Sequence, residues 1–568
     1  MIKTDDFFMI ENQYWLPTAL LLALVTLAIP GAYAQDPDAA ETDAYLAQAD
    51  IAMQAKDYRK AAAEYRKAAE AGSSTETAGI ATRLAFAYRF NDESLRAAKR
   101  WVKLDPDSDE ARLYLAQTYF RLGDIGNARR QYARIIDSDS EEPGHRLLSL
   151  VRYLSEEGAP ENADKLMRAL AKPYKDSAWA HYAAAVLALE AGDAQYAMQR
   201  ALRASELAPD SVRPKLLYAR ALMIDGEPEK AIDYTARIIG DDPAPDADAR
   251  MELAIMYMMN DRDDDALSQV NQVLLEESGR TDALRLMAII NYRQGNLDVA
   301  RDDFQDLLAT GQYRMDALYY LARIADFRED YARAIGLYSE VVYGDNAINS
   351  QRRASALLAF ELDDTEAAIE TLDKFGDSSP THAIDALLAK AQLLASLERY
   401  DESLEHYDQV VDYRPDDEGI ALSRAELLLR MDRLDAALDA YKAAVRRWPK
   451  SALALNAYGY TLADRTDRYR EAEKLIRKAI KFDPDNPAII DSLGWVLFKL
   501  GRLDESLVEL QRAYDAFDDH EVAAHLVEVL VALKRRDEAL ALLVEAEEKQ
   551  PDSTLLADVR ARLFPESP

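Results

Sequence analysis

LNAYGYTLADRTDRYREAEKLIRKAIKFDPDNPAIIDSLGWVLFKLGRLDESLVELQRA, residues 455–513, carries the pattern that decides the fold. Leu493, Gly494 and Leu497 recur at helical spacing, and after a break at Gly501 the spacing returns in Ser506, Leu510 and Ala513. Two short amphipathic helices joined by a tight turn are predicted, with the small residue Ser506 where they must meet. Ala472 stands 34 residues before Ser506, so the motif is already repeating inside the stretch. A fixed period of this length marks a repeat array, in which thin units stack, rather than a single enclosed core.

Followed outward, the small residue returns as Ala61, Ser94, Ala128, Ala163, Ala197, Ala231, Ala266, Ala300, Ala334, Ala368, Ser403, Ala437, Ala472, Ser506 and Ala539. Five residues ahead of it stand Gly123, Gly158, Gly192, Gly226, Gly295 and Gly501. Twelve residues after it stand Pro106, Pro209, Pro243, Pro415, Pro449 and Pro551. Each position has a steric reason. The small residue lies where two antiparallel helices cross closely. The glycine ends the first helix in a left-handed conformation that costs it nothing. The proline stops the second helix and helps start the next. Neither helix buries its stripe alone, and stacking the units makes one continuous core.

These residues resemble the tetratricopeptide repeat, a 34-residue helix–turn–helix with small residues at its eighth and twentieth places, and the likeness covers roughly residues 42–553. The resemblance implies an all-α fold, a right-handed superhelical solenoid of about 15 repeats, with Ser553–Phe564 as a capping helix. Units begin near Asp109, Gly144, Ala178, Val212, Ala247, Thr281, Met315, Asn349, Ile384, Glu418, Ala452, Pro487 and His520, after two degenerate ones near Thr42 and Thr75. Those at Gly144 and Asn349 match poorly, and residues 241–246 are the expected bend. The expected organisation is a signal peptide over 1–34 and a linker over 35–41. Repeat arrays then follow over 42–246, 247–383 and 384–568.

The export expectation rests on Thr18–Ile29, an uncharged apolar stretch too short for an ordinary membrane span, followed by Pro30, Gly31 and the small-x-small triplet Ala32-Tyr33-Ala34. Cleavage after Ala34 into the periplasm is expected, although Asp5, Asp6 and Glu11 make the leader less basic than usual. Zero cysteines exclude disulfides, iron–sulfur clusters, cysteine nucleophiles and a lipid-bearing cysteine. With 102 acidic against 69 basic residues and a net charge of −33, the chain lacks the cationic surface that nucleic acid requires. The six histidines have no metal-binding spacing, and no GxSxG, HExxH or phosphate-binding glycine loop occurs. The acids of Asp261–Asp265 read as a helix N-terminus rather than a calcium loop. No catalytic residue, metal or cofactor is expected, and the chain reads as a non-enzyme.

In the tetratricopeptide repeat the second, fifth, ninth, twelfth and thirteenth places of each unit face the concave side. That implies a groove lined by Met251, Ile255, Met258 and Met259, then Arg285, Ile289, Tyr292 and Arg293, then Tyr319, Arg323 and Phe327. Thioethers, aromatics and arginines together suit adaptable peptide recognition, unless a tightly wound superhelix packs them against its own next turn. A second cluster joins Asn456, Tyr460 and Asp464, spaced by four, to Asp491, Trp495, Phe498 and Lys499 one repeat later. Asparagine both donates and accepts hydrogen bonds, Trp495 offers a large rigid surface, and both sit where core packing is not expected to demand them.

Residues 455–513 are also similar to large exported proteobacterial repeat proteins, among them periplasmic adaptors of a carboxyl-terminal processing protease. That resemblance implies a solenoid that wraps protein substrates, often cell-wall hydrolases, and presents them to the protease without catalytic residues of its own. Its members are typically acylated on a cysteine that this chain lacks, so peripheral membrane association stays open. The alternative is a scaffold for envelope biogenesis, in polysaccharide secretion or peptidoglycan synthesis.

Overall fold

The computed structural model describes residues 37–137, 142–241 and 246–565. Among these it holds thirty-one α-helices and no strand, from α1 (Pro37–Gln54) to α31 (Thr554–Leu563). The expected signal segment and residues 242–245 of the expected bend lie outside the described residues, and residues 37–41, expected as linker, open α1 instead. The chain forms two compact units. One comprises the described residues up to Phe86 with Asn91–Thr118, and the other Ala87–Phe90 with the described residues from Tyr119. In the first unit, α2 (Tyr58–Ala71), α3 (Thr75–Ala87) and α4 (Asn91–Leu104) meet through Ala69, Ala78, Ala81, Ala97 and Trp101. In the second, successive helices pair through the turn of each hairpin.

Every one of the fifteen small residues is fully shielded, at 0% exposure. The serines among them add a bond that alanine cannot make. Ser506 Oγ donates to the Gly494 carbonyl at 2.7 Å, and Ser403 Oγ to that of Ala391 at 2.7 Å. The turn between paired helices is equally regular. Gly123, Gly158, Gly192, Gly226, Gly295 and Gly501 have φ between 67° and 83°. Lys56, Arg89, Asp261, Glu329, Asp363, Glu398, Asp432 and Lys534 fill the same place with φ from 53° to 63°. The amide that opens the next helix then returns to a carbonyl five residues back, as Arg262 does to Tyr257 and Arg502 to Leu497, both at 2.9 Å. These bonds satisfy carbonyls that the helix end would otherwise orphan. Aspartate caps many second helices, with Asp57, Asp193, Asp330 and Asp364 accepting from amides three residues on, while Ser177, Ser451 and Ser553 cap first helices. Part of the acidic surplus is thus spent on helix starts.

The poor match near Asn349 has a local cause. Between α17 (Arg314–Phe327) and α19 (Ala347–Phe360), α18 (Tyr331–Ser339) is only nine residues long. The buried Gln351 amide seals its open end by donating to the carbonyls of Tyr338, Ser339 and Val341 at 3.1, 3.2 and 3.0 Å. The turn after α19 carries one extra residue, so Asp364 N–H reaches six back to Leu358 at 2.8 Å. Ser355 therefore holds the place of the first-helix alanine, its hydroxyl donating to Ala368 at 2.8 Å. At the far end α31 covers the last hairpin with Leu556, Val559 and Phe564, each at most 1% exposed.

Candidate protein-binding site

The carboxyl-terminal cluster is built on α25 (Ala452–Arg465), α27 (Pro487–Lys499) and α29 (His520–Ala532), the first helices of three successive repeats. Side chains at spacings of three and four share one face of each helix. The structure brings Tyr460, Asp491, Trp495, Phe498 and Lys499 together and adds Glu521 and His525. Tyr460 Oη donates to Glu521 Oε1 at 2.7 Å, two repeats on. His525 Nδ1 donates to both oxygens of Asp491, at 3.0 and 3.1 Å. Trp495 stacks on His525 with ring centroids 4.1 Å apart and 20° between planes, packs on Phe498 at 5.3 Å, and carries Lys499 Nζ at 4.3 Å from its centroid.

The expectation that packing does not need Trp495 is corrected. It is 5% exposed and belongs to the hydrophobic core of these repeats, and Asp491, one turn earlier on the same helix, is buried as well. The physical reason is His525, whose ring lies flat on the indole, a partner that spacing within one repeat does not reveal. Asp464 is exposed, while Phe498, Lys499, Tyr460 and Asn456 are half-buried and form the accessible border. Trp495 Nε1 and Asn456 Oδ1 are shielded and have no hydrogen-bond partner. Burial depresses the His525 pKa, but the hydrogen bond and charge of Asp491, with Glu521 and Glu528, outweigh it, and the net shift is upward. Burial and the Glu521 carboxylate both push the Tyr460 hydroxyl above the usual tyrosine value.

The middle residues lie on α13 (Ala247–Met259), α15 (Thr281–Arg293) and α17. Arg323 is exposed and lies over the rings of Tyr292 and Tyr319, 5.2 and 5.7 Å from their centroids. Arg285 pairs with Asp316 and lies 5.4 Å from the Tyr313 ring. Met251, Met258 and Ile289 are buried, so they pack between helices and are not displayed; Met259 and Phe327 are exposed. Asp263–Asp265 form the first turn of α14 (Asp263–Glu276). No group of three or more potential metal ligands occurs among the described residues, and no described helix is long and apolar enough to cross a membrane.

A helical-hairpin array with exposed aromatic and charged residues on its first helices defines a class, the helical repeat scaffolds that bind proteins. Models of the tetratricopeptide repeat match residues 83–143, 285–350, 384–417, 422–487 and 497–563, together just over half of the chain. The chain belongs to the tetratricopeptide repeat family. It is similar to the TPR repeat-containing protein PA4667 of Pseudomonas aeruginosa, with 34% identity over 215 residues, 38% of this chain and 36% of that protein. It also resembles the tetratricopeptide repeat protein 30 homolog of Drosophila melanogaster, at 27% identity over 233 residues, 40% of this chain and 33% of the relative. The chain thus spans about a third of the length of the curated relatives it matches. Among solved structures, yeast Tom70 aligns over 92% of this chain and 96% of its own, at 14% identity and a TM-score of 0.29.

Proposed function

We propose that this chain is an exported, non-enzymatic adaptor of the bacterial periplasm that holds protein substrates and presents them to a carboxyl-terminal processing protease. The observation that carries the proposal is the similarity of residues 455–513 to such adaptors. The likeness to a Pseudomonas aeruginosa repeat protein and the leader-like segment ending at Ala34 support it. Such an adaptor works without covalent chemistry. Holding protease and substrate on one array turns their encounter into an intramolecular event, which raises effective concentration and fixes orientation.

The test combines purified mature chain, a purified carboxyl-terminal processing protease and a cell-wall hydrolase substrate. Cleavage is expected to accelerate about tenfold or more when the chain is present, through the gain in effective concentration, with the chain inert alone. Equal cleavage with and without it, in a mixture where no complex forms on size-exclusion chromatography, overturns the adaptor role.

A further inference from the structure

Five successive first helices, α11 (Val212–Ile224), α13, α15, α17 and α19, end in a register fixed by their turns. The amides of Glu227, Arg262, Asn296, Asp330 and Asp364 return to the carbonyls of Leu222, Tyr257, Asn291, Ala325 and Leu358. The residue two positions beyond each carbonyl is therefore equivalent from repeat to repeat: Ile224, Met259, Arg293, Phe327 and Phe360. By the same rule the place holds Arg121, Glu190, Ser396, Arg430, Lys499 and Ala532 elsewhere, all charged, polar or small. Where it is an arginine it often ties repeats together. Arg293 bonds Asp261 at 3.0 Å, and Arg430 bonds the Ala395 carbonyl at 3.0 Å. In the four central repeats other than that of Arg293 the place holds bare apolar side chains instead, with Phe327 76% and Phe360 56% exposed, and Ile224 and Met259 at 40% and 41%.

Acid surrounds this row. The turns 224–230, 259–265, 293–299, 327–333 and 360–366 carry fourteen carboxylates against five cations. Four of those cations are engaged, Lys230 with Glu227, Arg262 with Asp265, Arg293 with Asp261, and Arg328 with Asp298. Arg323, one helical turn before Phe327, lies over tyrosine rings. A second copy of this chain would bring a net charge of −33 to an already acidic edge, and an anionic lipid surface is disfavoured for the same reason. Exposed rings set in an acidic border fit a polypeptide that interleaves apolar with basic residues.

We infer that the row Ile224, Met259, Phe327 and Phe360 is a docking edge for a basic, apolar-studded polypeptide segment, separate from the Trp495 cluster. The inference rests on the reading of the chain as a protein-binding scaffold and is independent of the protease. The probe is a fluorescein-labelled peptide repeating Leu-Lys-Ser six times, titrated with the full chain and followed by anisotropy. Phe327→Ser with Phe360→Ser is expected to weaken binding about tenfold or more, as loss of central aromatic anchors does. Met259→Ser should weaken it less. Raising salt to about 0.5 M should weaken binding to every form. Helicity and melting should not change, since the substituted rings are exposed. No binding by the wild-type chain, equal binding by the double variant, or equal binding when glutamate replaces lysine in the peptide overturns the inference. So does self-association, or uptake by anionic vesicles, that the double variant abolishes. Protease stimulation that survives the double variant leaves the adaptor reading standing whatever the peptide result, so the two proposals fail separately.

Discussion

At His525 burial and charge pull in opposite directions. Removing an imidazolium from water favours its neutral form, yet Asp491 on α27, with Glu521 and Glu528 on its own helix, holds the proton more strongly, and the net shift is upward. A histidine whose folded pKa exceeds its unfolded value of about 6.5 contributes most below that value and loses the contribution as pH rises through the folded pKa. Replacing it by glutamine leaves the Asp491 carboxylate buried without its cation, which costs about 3 kcal/mol or more. His525→Gln should therefore melt well below wild type near pH 6, with the gap narrowing as pH is raised toward 8, as followed by circular dichroism. A constant gap would mean that charge plays no part. Little of this detail was legible in the sequence. Asn456, Tyr460 and Asp464 show a shared helix face through their spacing. The stacking of Trp495 on His525 joins residues from different repeats, and the 34-residue period gives no hint of which side chain fills the space between them.

Helix pairs depend on how closely their axes approach. Gly494 on α27 has no room for a side chain, since a Cβ there would lie 2.5 Å from Leu510 Cγ and 3.2 Å from Leu510 N, on α28 (Leu503–Ala516). Backbone cannot yield as a flexible side-chain end does, so the added methyl must push the helices apart. Gly494→Ala should cost about 1–3 kcal/mol of stability by overpacking, measured by urea denaturation; a neutral result would show that the hairpin relaxes freely. This element was the most legible of all, because one small residue per repeat in a fixed register leaves few other structures open. Two features of the same scale were hidden. Eight left-handed turns use lysine, arginine or acids in place of glycine, which masks half of the expected glycine positions. The shortened α18 also shifts the next unit by one residue, and only the hydrogen bond from Asp364 to Leu358 exposes the shift.

Across the whole molecule, charge is organised at the repeat spacing. Arg399 pairs with Glu366 at 3.0 Å, Arg433 with Asp401 at 2.7 Å and Arg465 with Asp432 at 3.1 Å, each arginine reaching the preceding turn. Exposed pairs of this kind each contribute little, so the array is held chiefly by apolar contact between neighbours. Stability that comes from neighbours predicts local failure at a damaged end. Deleting residues 554–568 uncovers Leu530 on α29 and Leu543 on α30 (Arg536–Lys549), which share one core cluster with Leu556, Val559 and Phe564. Amide hydrogen exchange should then quicken in α29 and α30 while earlier repeats stay protected; uniform loss of protection would show one cooperative block instead. The repeat architecture was legible from periodicity, and with it the shared thirteenth place of Met259, Arg293 and Phe327. The membership of Phe360 and the exposure of the row were not, because the one-residue shift shows only in the turn hydrogen bonds and the exposure only in the packing. That row has an engineering consequence. One position per hairpin serves as a tether in some repeats and as a bare ring in others without disturbing the shielded alanines, so new specificities can be written into the array one letter at a time while its framework stays untouched.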